Sequence, residues 1–435
     1  MKKSILFAGL LMVSALFIGC TNDGTPASSS TKLWPAAQVS KDSQTGEQTV
    51  KWGFIDAKGQ MVIAAAYDKA YDFSCGLAKL VSYSQTGEAS YYYINESQEM
   101  QTIPSNEWID DYFYYNYVQY EVSGGLYGLF NKKFETAIQP AYKYLGDMSV
   151  DGLVYFKQSS DTKFGYLNEK NEVAIPAQYD DAYGFVDGYA VVKMGDNYGL
   201  IDKKGGQSIT YQTNTLVSVG EDRIAFVDKG TRKWGLMDTK GTIKVQAIYD
   251  SGSPYGFTDE GVVAVYQNQK WGYVDKNGKS VLTVQFVEAY PFYGGMAWIK
   301  RSETSNYEAI DIKGNTKITL GKNEVPMTFF RQGLCLVRKY VEGEGTTVPG
   351  YEYSYIDEKG APVYSWKIEG YASANPAGYG TSLGGGQGYY DYDDDYGYDD
   401  EYENYYGDEY YAPSYNKINV HQLMAPTRYG NRVRK

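Results

Sequence analysis

Nine aromatic residues, Trp52, Tyr91, Tyr127, Phe164, Tyr198, Trp234, Trp271, Tyr307 and Tyr353, each stand four positions ahead of an Asp or Asn. Two chemistries suit such a row. Aromatic faces at a regular spacing can form a ladder of platforms for sugar rings, and Asp56, Asn95, Asp202, Asp238 and their equivalents can be read as cation ligands. A structural reading competes with each. An aromatic that alternates with apolar positions, beside a Gly whose missing side chain leaves room for a ring, serves as the anchor of a folded unit. Asp and Asn side chains cap the turns that follow them. The pattern favours anchors and caps, so no metal and no cofactor is expected. For catalysis the sequence offers no phosphate-binding Gly loop followed by Lys-Ser/Thr, no dinucleotide fingerprint and no His-Glu-x-x-His. Its single His, His421, lies near the C-terminus, which leaves no imidazole for a triad or zinc site in the main body. The chain is read as not an enzyme. The alternative is a polysaccharide hydrolase using an unidentified pair among its 53 Asp and Glu, because such pairs obey no short-range spacing.

The elements that position these residues follow from composition and period. Of 435 residues, 43% are hydrophobic and 22% charged, enough to bury a core. With 47 Tyr and 48 Gly, pleated strands joined by tight turns are favoured over helices, and an all-β fold is expected. The motif runs aromatic, often Gly, any residue, apolar, then Asp or Asn, and its aromatics are 39, 36, 37, 34, 36, 37, 36 and 46 residues apart. Six copies carry the Gly: Trp52-Gly53, Tyr127-Gly128, Phe164-Gly165, Tyr198-Gly199, Trp234-Gly235 and Trp271-Gly272. Each motif reads as a strand running into a type I turn. Gly59, Gly205, Gly241, Gly278, Gly314 and Gly360 take the left-handed place in that turn and Asn171 substitutes, whereas Gln98 and Phe134 predict a different turn in the second and third units. A second apolar arm follows, and Pro140 and Pro176 are expected to end its pairing. Tyr-Asp then recurs, followed by Phe and a turn Gly, as in Phe185 and Gly188, a crossover loop pinned by aromatics. Each unit thus offers about three short antiparallel strands.

Lys51-Trp52-Gly53, Lys233-Trp234-Gly235 and Lys270-Trp271-Gly272 resemble the WG-repeat family, also called KWG repeats, over about residues 50–370. That resemblance implies a β-rich repeat array, common in bacterial envelope or secreted proteins, with no shared activity. Three strands cannot bury both faces, so units must stack. The expected form is a tandem array of about nine three-stranded repeats in an open or partly closed β-solenoid or superhelix; a propeller-like ring is the alternative.

The ends of the chain bear on location. Lys2 and Lys3 precede an apolar run from Ile5 to Ile18, too short for a comfortable mature span, which reads as a secretory signal over residues 1–19. Phe17-Ile18-Gly19-Cys20 resembles a bacterial lipobox, and this implies lipidation of Cys20. The polar stretch that follows, residues 20–32, reads as a flexible tether. The repeat array is assigned to 33–370. A Gly/Tyr/Asp-rich segment, 371–412, reads as disordered: Tyr389 to Tyr411 holds ten Tyr and ten acids. A short basic tail, 413–435, carries five Lys and Arg and no acid. The net charge of −12 leaves −7 on residues 1–370, so no nucleic-acid partner is expected.

Together these features lead to the expectation of a non-catalytic envelope lipoprotein, on the outer membrane or cell surface, attached to the membrane through its lipid only. It would act as a binding or scaffold module for a protein or glycan partner, with a structural spacer as a further alternative. Cys75 and Cys335, seven repeats apart, are expected not to pair with each other.

Overall fold

The unit around Tyr198 shows how this sequence folds locally. Strands Asp181–Ala182, Tyr189–Met194, Asn197–Asp202 and Gln207–Gln212 pair antiparallel in chain order. Gly195, at a φ of 58°, lies in the tight turn that brings Met194 opposite Asn197. At the other end Asp202 closes the next turn: its Oδ1 accepts the N–H of Lys204 at 2.8 Å and of Gly206 at 2.9 Å. The same double cap recurs at Asp56, Asn95, Asn131, Asn168, Asp238, Asp275, Asp311 and Asp357. One Oδ1 thereby satisfies two turn N–H groups, the work the sequence assigns to these residues.

This computed structural model describes residues 32–370, apart from 102, 104–107, 159–161, 213, 253–255, 259 and 344–347, together with the strand pair Gly19–Cys20 and Pro26–Ala27. Residues 1–18 of the signal assigned to 1–19, residues 21–25 and 28–31 of the tether, and the segments beyond 370 lie outside the described residues. Every regular element among those described is a strand, and no helix is long and apolar enough to cross a membrane.

Four details depart from the sequence expectations. Most units have four strands rather than three. The additional one is a two-residue strand such as Asp181–Ala182, Ser251–Gly252 or Glu288–Ala289, too short to show alternation. Secondly, Gln98 and Phe134 do enter the left-handed turn, at φ 68° and 59°, donating N–H to Asn95 O at 3.0 Å and Asn131 O at 2.9 Å. The Asn caps hold the turn, and buried Phe134 is further fixed by the rings of Tyr93, Phe113 and Phe130. Thirdly, strands Thr136–Leu145 and Val173–Tyr179 run through Pro140 and Pro176. Pairing skips from Ile138 to Tyr142 and from Ile175 to Tyr179, so each Pro sits in a bulge that demands no donor. The fourth departure concerns closure of the array.

The bulge explains the motif Gly. Two residues of the motif strand face four of the outer strand at Trp52↔Tyr67 and Phe54↔Ile63, and likewise at Tyr127, Phe164, Trp234 and Trp271. The bulged backbone folds over the Gly: a Cβ on Gly53 would lie 2.2 Å from Ile63 O, and on Gly165 or Gly235 2.6 Å from Ile175 O or Val245 O. Where Glu308 or Ser354 replaces Gly, the register is regular at that point.

Successive units pack face to face, and the last packs on the first. The Asp-turn Gly of one unit faces the outer strand of the unit before, where a Cβ would meet Ile175 at Gly205, Ile209 at Gly241, Val245 at Gly278, Leu282 at Gly314 and Ile318 at Gly360. Gly59 of the first unit makes this contact with Val363 of the ninth. Trp34, Trp52, Leu336, Tyr353 and Trp366 share one buried cluster, with the Trp52 and Trp366 rings edge to face at 5.7 Å. Across the same seam Tyr355 Oη donates to Pro35 O at 2.9 Å, Lys41 pairs with Glu369 at 2.6 Å, and Arg331 pairs with Asp72 at 2.6 Å. The all-β array is therefore a ring of nine units, the propeller-like arrangement. Cys335 is a buried free thiol, so it does not bridge to Cys75 although the ends meet; burial pushes its thiol up to about 12.

Two measurements check this account. Exposed Gln98→Gly should raise stability by about 0.5–1 kcal/mol by removing the left-handed penalty, whereas Phe134→Gly should lower it through lost ring contacts; denaturant midpoints read both. Trp366→Ala should cost about 3–5 kcal/mol by opening a cavity at the seam, seen as an earlier melting transition.

Candidate functional site

The ring has two rims. On one lie the capped Asp turns; on the other lie the hairpin turns such as Met194–Asn197. One or two residues below the hairpins, cross-strand neighbours form a layer that recurs in the second to fifth units. The second unit contributes Lys69, Val81 and Tyr91, the third Trp108, Glu121 and Tyr127, the fourth Tyr144 and Lys157 beside Phe164, and the fifth Asp181, Lys193 and Tyr198. Residues paired in this way lie on one face of their sheet. Tyr91, Trp108 and Tyr144 are exposed at 41%, 37% and 36%, large apolar surfaces in three consecutive units, and Tyr83 of the neighbouring hairpin is exposed as well.

Cations lie on these rings. Lys157 Nζ is 4.0 Å from the Tyr144 centroid and 4.6 Å from that of Phe164, and the two rings meet edge to face at 6.0 Å. Burial lowers the Lys157 ammonium pKa, while nearby Asp181 opposes the shift. Lys79, almost wholly buried, lies 4.8 Å from the Tyr91 ring and is held by Ile109 O at 2.7 Å and Asp111 at 3.0 Å. Lys193 faces the Tyr198 ring at 5.7 Å. Burial, followed by the Asp181 charge, raises the Tyr183 hydroxyl pKa, and that hydroxyl donates to Asp181 at 3.2 Å. The layer can therefore stack on flat apolar faces and offer ammonium and carboxylate groups beside them.

Below the hairpins a clasp joins consecutive units. The Lys before a motif aromatic pairs with the Asp of Tyr-Asp: Lys51 with Asp68 at 2.6 Å, Lys163 with Asp180 at 2.5 Å, and Lys233 with Asp250. The second carboxylate oxygen accepts an N–H from the next unit, Tyr83 at 2.8 Å, Gly195 at 2.7 Å and Asn268 at 3.0 Å. The Lys163 bond, with Gly195, holds the Asp180 carboxyl below its ordinary range, and Lys233 does the same for Asp250. Burial works against the shift at Asp68, which Lys51 and the Tyr83 N–H nonetheless bring down.

Of the motif residues, Trp52 and Trp234 are buried; Tyr127, Phe164, Tyr198 and Trp271 are half-buried, and Gly53, Gly128, Gly165, Gly199, Gly235 and Gly272 lie beneath the outer strands or within the sheets. They belong to different units and form no single pocket. Cys20 pairs through its backbone with Pro26. Trp108 and Tyr144 escape the sequence reading because they lie on innermost strands; the signal was their place just after the crossover into a new unit, as in Tyr142-Lys143-Tyr144. Among the described residues no group of three or more His, Cys, Asp or Glu could hold a metal ion.

Residues 52–80, 127–160, 164–198, 234–271 and 271–303 each match the WG containing repeat. No curated protein is significantly similar in sequence. Among solved structures, a eukaryotic initiation factor is 10% identical, covering 77% of this chain and 97% of its own, with a TM-score of 0.49. BamB from Moraxella catarrhalis is 11% identical, with 65% and 95% covered and a TM-score of 0.32; apo AztD from Citrobacter koseri is 11% identical, with 79% and 99% covered and a TM-score of 0.34. Likenesses at this level carry nothing about function.

Because the clasp carboxylates have depressed values, their stabilisation is present above the unfolded value near 3.9 and is lost as pH falls through the lower folded value. Asp180→Asn should lower stability at pH 7 by about 0.2–1 kcal/mol, and the gap to the parent should shrink below about pH 4, as read by melting across pH.

Proposed function

The chain belongs to the WG-repeat family, and from that premise we propose that it is a non-catalytic binding module of the bacterial cell envelope. It is held to a membrane by lipid on Cys20 and engages a glycan through the aromatic layer of the hairpin rim. One observation carries the ligand class: Tyr91, Trp108 and Tyr144 are exposed at equivalent heights in three consecutive units, with Lys157 against Tyr144. Sheets packed face to face stand about 10 Å apart, which spaces Trp108 and Tyr144, on the first strands of adjacent units, for successive sugars, with Tyr91 on the third strand of the unit before. Their faces cover the apolar faces of pyranoses, while Lys157, Lys193 and Asp181 offer partners to hydroxyl groups. The lipid anchor rests on Lys2, Lys3, the apolar run and Phe17-Ile18-Gly19-Cys20.

A glycan array probed with the intact protein tests the ligand class. Bound glycans are expected, and Trp108→Ala and Tyr144→Ala should each weaken binding about tenfold, the equivalent of one aromatic contact near 1.4 kcal/mol, without changing the melting temperature. An empty array together with capture of a protein from envelope extracts, sensitive to the same substitutions, would replace the glycan with a protein partner. Mass spectrometry of the mature N-terminus should find a lipid-modified Cys20; an unmodified Cys20 would remove the anchor.

A further inference from the structure

Two lysines of the aromatic layer hold a charge that the fold leaves unanswered. Lys157 stands opposite Tyr144 in the fourth unit, and Lys193 stands opposite Asp181 at the same place in the fifth. Among the described residues neither ammonium has an ion pair or donates a hydrogen bond. Their neighbours are rings, Tyr144 and Phe164 around Lys157 and Tyr198 beside Lys193. At Lys157 burial removes water and lowers the pKa, and the ring faces attract the ammonium less strongly than a charged acceptor would.

Other units answer their lysines. Lys79 has Ile109 O and Asp111, and Lys300 has Glu303 O at 3.1 Å and Glu288 at 3.5 Å. The eighth unit gives the closest contrast, because Lys300 stands opposite Glu288 as Lys193 stands opposite Asp181. Glu288 reaches its lysine; Asp181, one methylene shorter, does not. The Asp181 oxygens turn instead to the Ala182 N–H at 3.1 Å and the Tyr183 hydroxyl at 3.2 Å.

The two lysines also continue the course of the exposed rings. Trp108, Tyr144 and Asp181 hold the same place on the first strands of the third, fourth and fifth units, and the residues opposite them are Glu121, Lys157 and Lys193. A chain stacked on Trp108 and Tyr144 therefore runs on past Lys157 to Lys193, about 10 Å further at the usual spacing of packed sheets. Positive charge begins at the fourth unit, where the exposed rings end.

We propose that the polymer taken by this layer is negatively charged, its acidic groups set on Lys157 and Lys193 and its apolar sugar faces on Trp108 and Tyr144. The charge requirement rests on the reading that the layer binds a glycan. An ammonium is a point charge that receives a carboxylate or a sulfate ester alike, so polymers of uronic acids and sulfated polymers both fall within the class. Binding of the full chain is measured to polygalacturonate and its fully methyl-esterified form, and to dextran sulfate and dextran. At low salt at least one acidic polymer should bind about tenfold tighter than its neutral counterpart, with the advantage shrinking as salt rises past about 0.5 M; the pair that shows it names the acidic group. Lys157→Gln and Lys193→Gln should each remove about threefold of that advantage while melting like the parent. Asp181→Glu, by reaching Lys193 as Glu288 reaches Lys300, should weaken the acidic polymer without removing a positive charge. Equal binding of acidic and neutral polymers overturns the charge requirement and leaves the glycan reading standing. An acidic preference untouched by all three substitutions overturns the assignment to these lysines. No binding to any polymer, here or on the array, overturns the glycan reading and the charge requirement together.

Discussion

No unit of this chain can bury both faces of its sheet without a neighbour on each side, and the ring is what satisfies that need for all nine at once. An open array of the same units would leave Trp34 and Trp52 bare at one end and Tyr353 and Trp366 at the other. In the ring these four sit in one cluster, each no more than 5% exposed. The seam is built from the contacts used inside the array. Tyr93, Tyr166 and Tyr273 donate hydroxyls to Asp110 O, Tyr183 O and Tyr290 O of the following unit, and Tyr355 donates across the closure to Pro35 O. Such buried hydroxyls would be costly without those carbonyls. The closure therefore repeats an existing solution.

Within a unit, three local devices cooperate. The Asp or Asn cap turns the chain, the motif Gly admits the bulged outer strand, and the bulge brings a second aromatic opposite the first, as Tyr249 opposite Trp234. Removing the glycine requirement removes the bulge, as the eighth and ninth units show with Glu308 and Ser354. The bulge has a further consequence at the edge. Apart from Thr136–Leu145, which continues into the next unit's sheet, the outer strands have one unpaired side, and a bulged, Pro-containing strand such as Val173–Tyr179 is a poor template for another chain.

The polar residues are divided between the rims by the same topology. Antiparallel meanders return the chain to the same rim in each unit, so in the second, third and fifth units residues one or two steps from the hairpin share a layer. In each of the second to fourth units that layer carries one exposed aromatic, Tyr91, Trp108 or Tyr144; in the fifth it is Asp181, Lys193 and Tyr198. The clasp beneath it, at Asp68, Asp180 and Asp250, ties each hairpin to the preceding unit, which holds the layer's spacing steady.

The sequence by itself determined the period, the strand type, the Asp turns and the positions of their Gly residues, because each depends on interactions within a few residues: a side chain capping its own turn, or a φ that only Gly or Asn adopts cheaply. It misled where a distant group compensates. Phe134 accepts a left-handed φ because three rings hold it, and Pro176 stays in its strand because the facing Gly165 creates a bulge. A two-residue strand cannot be seen as alternation, so Trp108 was invisible as a surface residue, and Tyr144 lies beyond the Pro140 that was expected to end its strand, Thr136–Leu145. Closure was decided by tertiary structure alone. Whether nine similar units form a spiral or a ring depends on small rotations at every interface, summed around the array, and no single residue carries that sum until Gly59 meets Val363.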